Sequence, residues 1–314
     1  MRRVICGGGG LVGMAGRGAA GLFGAAALAG TALAQDGRQS SGIAGDEPSS
    51  LGAPIPWGLG LQPSGGPVAE TVADFNTLVL WIIVAISVFV LALIGYVMWR
   101  YREAASPSPS RTSHNTTLEV AWTVVPVLIL VAIAIPSFRL IYYQDRPREA
   151  DMTINVQGRQ WYWHYEYPDH GSFAYDSRPI PDTEIGPGQL RSLSVDEPLV
   201  IPAGANVRVL TTGQDVIHSF FVPSLGVQKY TIPGRTLETW FRADRPGIYY
   251  GQCNQICGTN HWFMPIEVRA VPPAEFQAWV EQAKTKYARA GGGGATAAAP
   301  AGAAPDLLAD AGRR

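Results

Sequence analysis

The sequence predicts two transmembrane helices followed by an all-β domain, a fold class that three observations indicate. Two apolar runs, Leu78–Trp99 and Val120–Ile141, are each long enough to cross the hydrocarbon core of a bilayer, which takes about 20 residues of helix. From residue 151 onward, short alternating or β-branched runs are separated by Pro and Gly turns, a pattern typical of a sandwich or small barrel. The 314-residue chain is long enough to hold both parts.

The N-terminal segment resembles a secretory signal that is removed from the mature protein. Residues 1–34 begin with Arg2 and Arg3, continue through a Gly, Ala and Leu-rich stretch, and end on small residues before Gln35. A Gly-rich unstructured N-terminus or an uncleaved anchor is the alternative. Because Cys6 lies within the removable segment, the mature protein would keep only Cys253 and Cys257.

The charge pattern around the apolar runs predicts their orientation. Arg100, Arg102 and Arg111 outnumber Glu103 in the connecting loop, which places this loop in the cytoplasm and both flanking segments outside. A buried helix pair in a soluble protein is the alternative, which the length of the runs disfavours. Charged residues make up only 16% of the chain and the formal net charge is -1, so a nucleic-acid partner has no support.

The residues after the second apolar run complete the predicted organisation. Residues 273–289 place Phe276, Trp279 and Tyr287 on one face of a short amphipathic helix, and the low-complexity tail is expected to be disordered. The segments predicted in chain order are a signal peptide (1–34), a periplasmic N-terminal segment (35–73), transmembrane helix 1 (74–99), a cytoplasmic loop (100–117), transmembrane helix 2 (118–143), the β-domain (150–272), the amphipathic helix (273–289) and the tail (290–314).

One loop carries the residues with the most distinctive chemistry. Cys253, Cys257, His261 and Met264 bring two thiols, an imidazole and a thioether within twelve residues, and such soft ligands select copper. A mononuclear blue-copper site uses one cysteine, whereas the second cysteine here allows two sulfurs to bridge two metal ions. His218 is the candidate for a further ligand, brought to the loop by tertiary folding.

Three other interpretations of these residues remain open. A disulfide between Cys253 and Cys257 would close a very short loop and leave His261 and Met264 without a role. A structural zinc site would gain nothing from Met264, because a thioether is not among the usual zinc ligands. His218 taken alone is most often a structural histidine.

Together these features resemble a known family. The loop C-x-x-x-C-G-x-x-H-x-x-M, the upstream DVIHSFFVPSLGV, the segment GRQWYWHYEYPD and the two-helix anchor are similar to subunit II of cytochrome c oxidase over residues 70–285. The resemblance implies a helical hairpin carrying a periplasmic cupredoxin-like Greek-key sandwich in a bacterial inner membrane. It also implies a function, which is to accept electrons from cytochrome c at a dinuclear copper centre and pass them to subunit I. The haems and CuB of subunit I would reduce oxygen. Subunit III is implied as a further partner.

The resemblance also implies roles for individual residues. The implied copper ligands are His218, Cys253, Cys257, His261, Met264 and the backbone carbonyl of Gln255. Trp161 matches the point where electrons enter, although aromatic residues in strands are more often core. Glu119 matches the entrance of a proton path, with a helix N-terminal acid as the alternative. The acidic residues matching the docking site for a lysine-rich cytochrome c are Glu166, Asp196 and Asp215.

The sequence departs from the family at the position between the two cysteines. Glutamate is usual there and ligates a magnesium ion shared with subunit I, but this chain has Gln255, whose neutral amide is a weaker ligand for a hard cation. Gln228 and Tyr230 also stand where a lysine and an aspartate are common. The sequence therefore predicts the copper contact of the Gln255 carbonyl and leaves the magnesium site doubtful.

Two alternative functions are retained. The chain could be a copper-binding or copper-delivery module, in which copper would be single and exchangeable. It could also be the related subunit of a quinol oxidase, but that branch lacks the copper ligands present here.

Overall fold

The computed structural model describes residues 51–106, 108, 111–145 and 149–288. The predicted signal segment, Cys6 and the predicted tail lie outside these residues, as do residues 35–50 of the predicted N-terminal segment. Three α-helices are described: α1 (Pro67–Arg100), α2 (Thr116–Asp145) and α3 (Pro273–Ala288).

Helices α1 and α2 form the membrane hairpin. The most apolar stretch of each has no residue buried within the protein, as expected of helices that face lipid. Proline stands at the start of α1, where its missing N–H leaves no intrahelical bond unmade. Helix α2 runs through Pro126 and Pro136, which a membrane helix tolerates when neighbouring groups satisfy the freed carbonyls.

The β-domain follows the hairpin. Its described strands are β1 (Met152–Arg159), β2 (Tyr162–Tyr167), β3 (Phe173–Ser177), β4 (Leu199–Pro202), β5 (Val207–Gly213), β6 (His218–Val222), β7 (Val227–Thr231), β8 (Leu237–Phe241), β9 (Gly247–Gln252) and β10 (Pro265–Val271).

These strands form a sandwich. One sheet has the order β3-β2-β1-β5-β8, a second has the order β4-β10-β9, and β6 and β7 form a two-stranded ribbon. The pairs β1–β5 and β4–β10 are parallel, and the other paired strands are antiparallel. Burial alternates along β1, β2, β3 and β5, so one face of the large sheet is turned to the core. The predicted fold class, a helical hairpin with an all-β sandwich, is confirmed.

Large aromatic side chains fill the core between the sheets. Trp163, Tyr165 and Tyr167 point inward from β2 and are completely buried. Helix α3 closes one end of this core, where the ring of Tyr287 stacks on Tyr175 with centroids 4.6 Å apart.

Side chains of β7 and β8 hold the C-terminal end of α2. The indole Nε1 of Trp240 donates to the carbonyl of Tyr143 at 2.7 Å, and the hydroxyl of Thr239 donates to the carbonyl of Gln144 at 3.0 Å. Lys229 Nζ forms an ion pair with Asp145 at 2.6 Å. The last carbonyls of a helix lack intrahelical partners. The first two contacts satisfy the carbonyls of Tyr143 and Gln144, and all three fix the β-domain against the periplasmic end of the hairpin.

Candidate metal centre

The ligand loop connects β9 to β10, two neighbouring antiparallel strands. The backbone N–H of Cys253 donates to the carbonyl of Met264 at 3.1 Å, which closes the loop at its base. Two successive turns shape its far side: His261 N–H donates to Gly258 at 3.2 Å, and Phe263 N–H donates to Asn260 at 2.9 Å. The strand pairing therefore brings the two ends of the loop together.

The two cysteines lie close together inside this loop. Both are buried and free, and their sulfurs are 3.9 Å apart. A disulfide bond is about 2.05 Å long, so these thiols are unbonded. His261 Nδ1 lies 3.7 Å from the sulfur of Cys257. One ligand atom from each of His218, Cys253 and Cys257 falls within 4.8 Å of the others, a spacing suited to a metal ion.

His218 approaches the loop from the first position of β6. Its side chain is completely buried, and its Nε2 lies 2.8 Å from the carboxylate Oδ1 of Asp215. Its Nδ1 is buried and has no hydrogen-bond partner among the described residues. A carboxylate on one imidazole nitrogen and a free second nitrogen is the arrangement that metal-binding histidines show.

The other two predicted ligands have consistent positions. Met264 is completely buried and belongs to the same core cluster as both cysteines. The carbonyl oxygen of Gln255 lies 3.3 Å from the sulfur of Cys253 and is turned toward it. The described residues therefore offer soft sulfur, imidazole and one carbonyl oxygen at a single buried place, a donor set that fits copper.

The electrostatics of the thiols favour a cation. Burial opposes ionisation of Cys253, but its contact with the His218 imidazole and hydrogen bonding to the backbone at Ser219 outweigh burial and lower its pKa to about 7. Burial and the charge on Cys253 act together at Cys257 and raise its pKa to about 12. Two neighbouring thiolates repel one another, and a bound cation removes this cost.

Trp161 lies against the ligand loop. It occupies the two-residue turn between β1 and β2, and its indole Nε1 donates to the carbonyl of Cys257 at 3.2 Å. The side chain of Gln160 donates to the same carbonyl at 2.8 Å. The Gln160 backbone N–H also donates to the Asp215 carboxylate at 2.6 Å. One turn thus contacts both the cysteine loop and the carboxylate that holds His218.

The three acidic residues expected at the docking site have different surroundings. Glu166 accepts a hydrogen bond from Asn155 at 2.9 Å, and Asp196 accepts one from the backbone of Arg178 at 2.7 Å. In the described part of the chain, Asp215 alone among the three contacts a candidate ligand. A role for Asp215 in docking therefore comes with a second role in orienting His218.

Glu119 lies far from this centre, in the first turn of α2. Its carboxylate accepts from the backbone N–H of Asn115 at 3.2 Å, and the Asn115 side chain accepts from the N–H of Leu118 at 3.3 Å. This is the reciprocal pattern of a helix cap. At about 1.5 Å per residue, the 26 residues of α2 that follow Glu119 separate it from the β-domain end of the helix by roughly 39 Å.

Sequence reasoning missed two features of the centre. Gly158 in β1 lies against His218, because a Cβ there would come within 2.8 Å of the imidazole Cδ2. Three exposed apolar side chains, Ile217, Ile256 and Trp262, each directly adjoin a candidate ligand in the sequence. Their positions beside His218, Cys257 and His261 were a usable signal, but their exposure follows only from the fold.

Comparisons with known proteins identify the family of this chain. The family model for the periplasmic domain of cytochrome c oxidase subunit II matches residues 152–271, and the model for its transmembrane domain matches residues 54–140. A probable cytochrome c oxidase subunit 2 from Rickettsia bellii is 47% identical over 238 residues, which cover 76% of this chain and 88% of the relative. The chain belongs to the cytochrome c oxidase subunit II family.

Further relatives include the cytochrome c oxidase subunit 2 of Cereibacter sphaeroides, 44% identical over 74% of this chain and 83% of the relative. The crystal structure of the periplasmic domain of subunit II of cytochrome oxidase from Bradyrhizobium japonicum is 49% identical and covers 44% of this chain and 97% of that one, with a TM-score of 0.42.

Membership of the cytochrome c oxidase subunit II family confirms the predicted function and location. The chain is the electron-accepting subunit of a haem–copper terminal oxidase, and copper is the metal that the family implies for its periplasmic domain. It is anchored in the bacterial plasma membrane by two helices, with the β-domain on the periplasmic side. The buried free thiols and the unpartnered Nδ1 of His218 fit this metal.

Gly158→Ala tests whether the packing of His218 shapes the centre. The added Cβ would meet the His218 ring at 2.8 Å and the Thr231 hydroxyl at 2.5 Å, so the imidazole must shift. We expect about tenfold weaker copper binding, as for other changes that reorient a ligand, and an altered copper hyperfine splitting. Copper titration and electron paramagnetic resonance measure both. Gly60→Ala is the matched control, since nothing lies within 4 Å of an added Cβ at that position. Wild-type copper affinity and a wild-type spectrum in Gly158→Ala would contradict the packing argument.

Proposed function

We propose that this chain accepts electrons from cytochrome c at a dinuclear copper centre and passes them to subunit I of the oxidase. The proposed ligands are His218, Cys253, Cys257, His261, Met264 and the backbone carbonyl of Gln255. The observation that carries the proposal is the pair of buried, unbonded thiol sulfurs 3.9 Å apart, with a ring nitrogen of His218 close to both.

The geometry supports two ions. Copper–sulfur bonds are expected to be similar to zinc–sulfur bonds, about 2.3 Å, so sulfurs at this separation can both bond to the same ion and can bridge a pair. Both imidazoles lie at the sulfurs: His261 Nδ1 is 3.7 Å from the sulfur of Cys257 and also contacts Cys253, and His218 contacts Cys253. The site thus offers two separate imidazoles, one for each ion of a pair. When bound, such a pair supplies a one-electron relay whose charge change is shared between two ions.

The chain's own residues hold most of the centre away from water. Met264 and His218 are completely buried and the cysteines are nearly so, whereas His261 and Gln255 are partly exposed. The Asp215 carboxylate and the Trp161 turn hold the loop from outside. A site that moves little between oxidation states suits electron relay. A copper-delivery module instead needs ligands that release the metal readily.

Electron paramagnetic resonance of the copper-loaded full-length chain tests the dinuclear centre. We expect two coppers per chain and a seven-line hyperfine pattern, because the unpaired electron is shared equally. Cys257→Ser removes one bridge and should give a four-line pattern, whereas Thr259→Ser in the same loop should keep seven lines. One copper per chain with a four-line signal in the wild type, lost rapidly to a chelator, would favour copper delivery instead.

The surface around the loop supports docking of cytochrome c. Trp161 contacts the backbone of Cys257 directly, which gives a short route for an electron. Ile256 and Trp262 are 82% and 59% exposed beside the ligands, an apolar patch of the kind that marks interaction sites. Glu166, Asp196 and Asp215 are proposed to steer the lysine-rich partner toward this patch. Apolar contact and charge steering should respond differently to salt.

Two variants separate these contributions to docking. Trp262→Ala should weaken binding of cytochrome c by about tenfold at low and high salt alike, because it removes apolar contact. Glu166→Gln should weaken binding at low salt only, because salt screens exposed charges over about 10 Å at 0.1 M. Calorimetric titration of the oxidase measures both, with an unchanged copper spectrum as the folding control. Asp215 is unsuitable for this test, because it also holds His218. Equal salt dependence of cytochrome c binding in the two variants would contradict the assignment.

The substitution at Gln255 makes the magnesium site that the resemblance implies doubtful. Gln255 offers a neutral amide in place of a carboxylate, and a neutral oxygen binds a hard cation more weakly. The backbone carbonyl of Gln255 is the part of this residue that faces a cysteine sulfur. We therefore propose that Gln255 contributes to the copper centre and that any magnesium at the boundary with subunit I depends on ligands from that subunit.

Glu119 is proposed as the entrance of a proton path, and its cap contact shapes the test. Glu119→Gln keeps an acceptor for the Asn115 N–H and removes the titrating group, whereas Glu119→Ala removes both. We expect both variants to slow steady-state oxygen consumption at least severalfold, with the copper spectrum and the rate of copper reduction by cytochrome c unchanged. Normal turnover in Glu119→Gln together with slow turnover in Glu119→Ala would show that capping, and not proton transfer, is the role of this residue.

A further inference from the structure

A cavity lies between the two membrane helices near their periplasmic ends. Its volume is about 810 Å³, within the range of about 300–1,000 Å³ that ligand pockets have. Its walls, here called the hairpin groove, are formed by residues 71–78 of α1 and 136–143 of α2. Its lining includes no candidate copper ligand, so the hairpin groove has no part in the electron route described above.

One face of each helix is turned toward the hairpin groove. On α1 the lining residues are 71, 74, 75 and 78, and on α2 residues 136, 139, 140 and 143 repeat the same spacing. Residues three, four and seven positions apart lie on one side of an α-helix. The groove is therefore built by the hairpin itself.

The hairpin groove lies at the level of the lipid headgroups. The apolar run of α1 begins at Leu78, so Asp74, four residues earlier, lies about 6 Å outside the hydrocarbon edge. The apolar run of α2 ends at Ile141, and Arg139 lies only about 3 Å inside it, from where its long side chain can reach outward. Headgroups occupy roughly 6 Å on each side of the hydrocarbon core. Both charges are thus at headgroup level in the periplasmic leaflet.

The two charged side chains of the hairpin groove lack partners within the protein. Asp74 and Arg139 both line the groove, but among the described residues neither side chain has a hydrogen bond or an ion pair within 4 Å. Both are exposed and therefore open to a ligand. Charged groups next to hydrocarbon are costly unless they are paired. A ligand that carries one charge of each sign would satisfy both.

Polarity changes along the hairpin groove in the order that a phospholipid requires. Helix α1 enters the membrane from Asp74 toward Leu78, and α2 leaves it from Pro136 toward Arg139. The charged end of the groove therefore faces the periplasm, and the apolar end faces the hydrocarbon. A phospholipid has its charged headgroup and its acyl chains in this same order. A free phosphate or amine would leave the apolar end uncovered.

The β-domain holds one wall of the hairpin groove in place. The ring of Tyr143 packs edge-on against Trp240 of β8, with centroids 5.3 Å apart. The Trp240 indole also donates to the Tyr143 carbonyl at 2.7 Å. Tyrosine is common at the membrane interface, where its ring is apolar and its hydroxyl polar. A ligand in the groove would thus meet a wall that is already fixed.

We propose that the hairpin groove binds one phospholipid of the periplasmic leaflet whose headgroup carries a phosphate and a primary ammonium, as phosphatidylethanolamine does. The Arg139 guanidinium would bind the phosphate, which it can meet with two parallel N–H donors. The Asp74 carboxylate would accept from the ammonium, whereas a quaternary ammonium has no N–H to donate. The first part of an acyl chain would lie along Phe75, Leu78 and Pro136. The lipid would join α1 to α2 directly below the β-domain.

Native mass spectrometry of the full-length chain in detergent tests the headgroup. We expect one phosphatidylethanolamine per chain, bound more tightly than phosphatidylglycerol or phosphatidylcholine. Arg139→Gln should weaken this binding by about tenfold, because the charged donor to the phosphate is lost. Asp74→Asn should remove the preference over phosphatidylglycerol. Arg111→Gln, which changes an exposed arginine of the connecting loop, is the control and should bind as the wild type does. Equal binding of the three lipids, or unchanged affinity in Arg139→Gln, would overturn the proposal.

Photo-cross-linking identifies what occupies the hairpin groove in the assembled oxidase. Benzoylphenylalanine replaces Tyr142, which lines the groove and is 75% exposed, or Trp262 of the ligand loop as a control. After irradiation, mass spectrometry should find a phosphatidylethanolamine adduct at position 142 and no lipid adduct at position 262. The copper spectrum reports folding and should be unchanged in both. A peptide of another subunit joined to position 142, or no adduct there, would refute lipid binding and leave the proposed copper function untouched.

Discussion

The rest of the structure depends on holding two buried thiol sulfurs side by side without letting them bond. Burial opposes the ionisation of both thiols, but hydrogen bonds to Cys253 outweigh it and lower the pKa of Cys253 to about 7, whereas burial and the charge on Cys253 raise the pKa of Cys257 to about 12. The pairing of β9 with β10 closes the loop between Cys253 and Met264, and the turn that bears Trp161 supports it from the side. A bound cation then turns the repulsion between thiolates into attraction.

The second requirement is that this centre stay at one height above the membrane. An electron relay depends on fixed distances, and the β-domain is joined to α2 through residues 146–150, a few residues of chain. The last residues of the helix are bound by side chains of the β-domain, namely Lys229, Thr239 and Trp240. These contacts restrict the movement of the β-domain relative to α2 that so short a connection would otherwise allow. The same contacts satisfy carbonyls that the end of any helix leaves unpaired. One set of hydrogen bonds thus serves both stability and placement.

Charge and apolar surface are distributed differently around the domain. Ile217, Ile256 and Trp262 are exposed beside candidate ligands, whereas the carboxylates of Glu166 and Asp196 accept hydrogen bonds elsewhere in the domain. Asp215 differs from these two acids, since it contacts both His218 and the backbone of Gln160. The exposed apolar segment before α1, residues 53–64, lies apart from the ligand loop in the sequence. Its backbone contacts are to the β-domain near β9, which explains how a loop with so few hydrogen bonds of its own keeps a defined path.

The sequence by itself determined the membrane hairpin, the class of the β-domain and the candidate ligand loop. Apolar length, the two-residue alternation of strands and the spacing of Cys253, Cys257, His261 and Met264 are local properties, and local patterns can be read along the chain. Only the tertiary structure decided that His218 reaches the loop, that Gly158 makes room for it, and that Asp215 contacts a ligand. It also decided that Trp57 and Trp262 are exposed while Trp163 and Trp240 are buried. All four residues are tryptophans, so the residue type does not decide their burial. Their surroundings differ because strand pairing and the docking of α2 bring together residues that lie far apart in the chain.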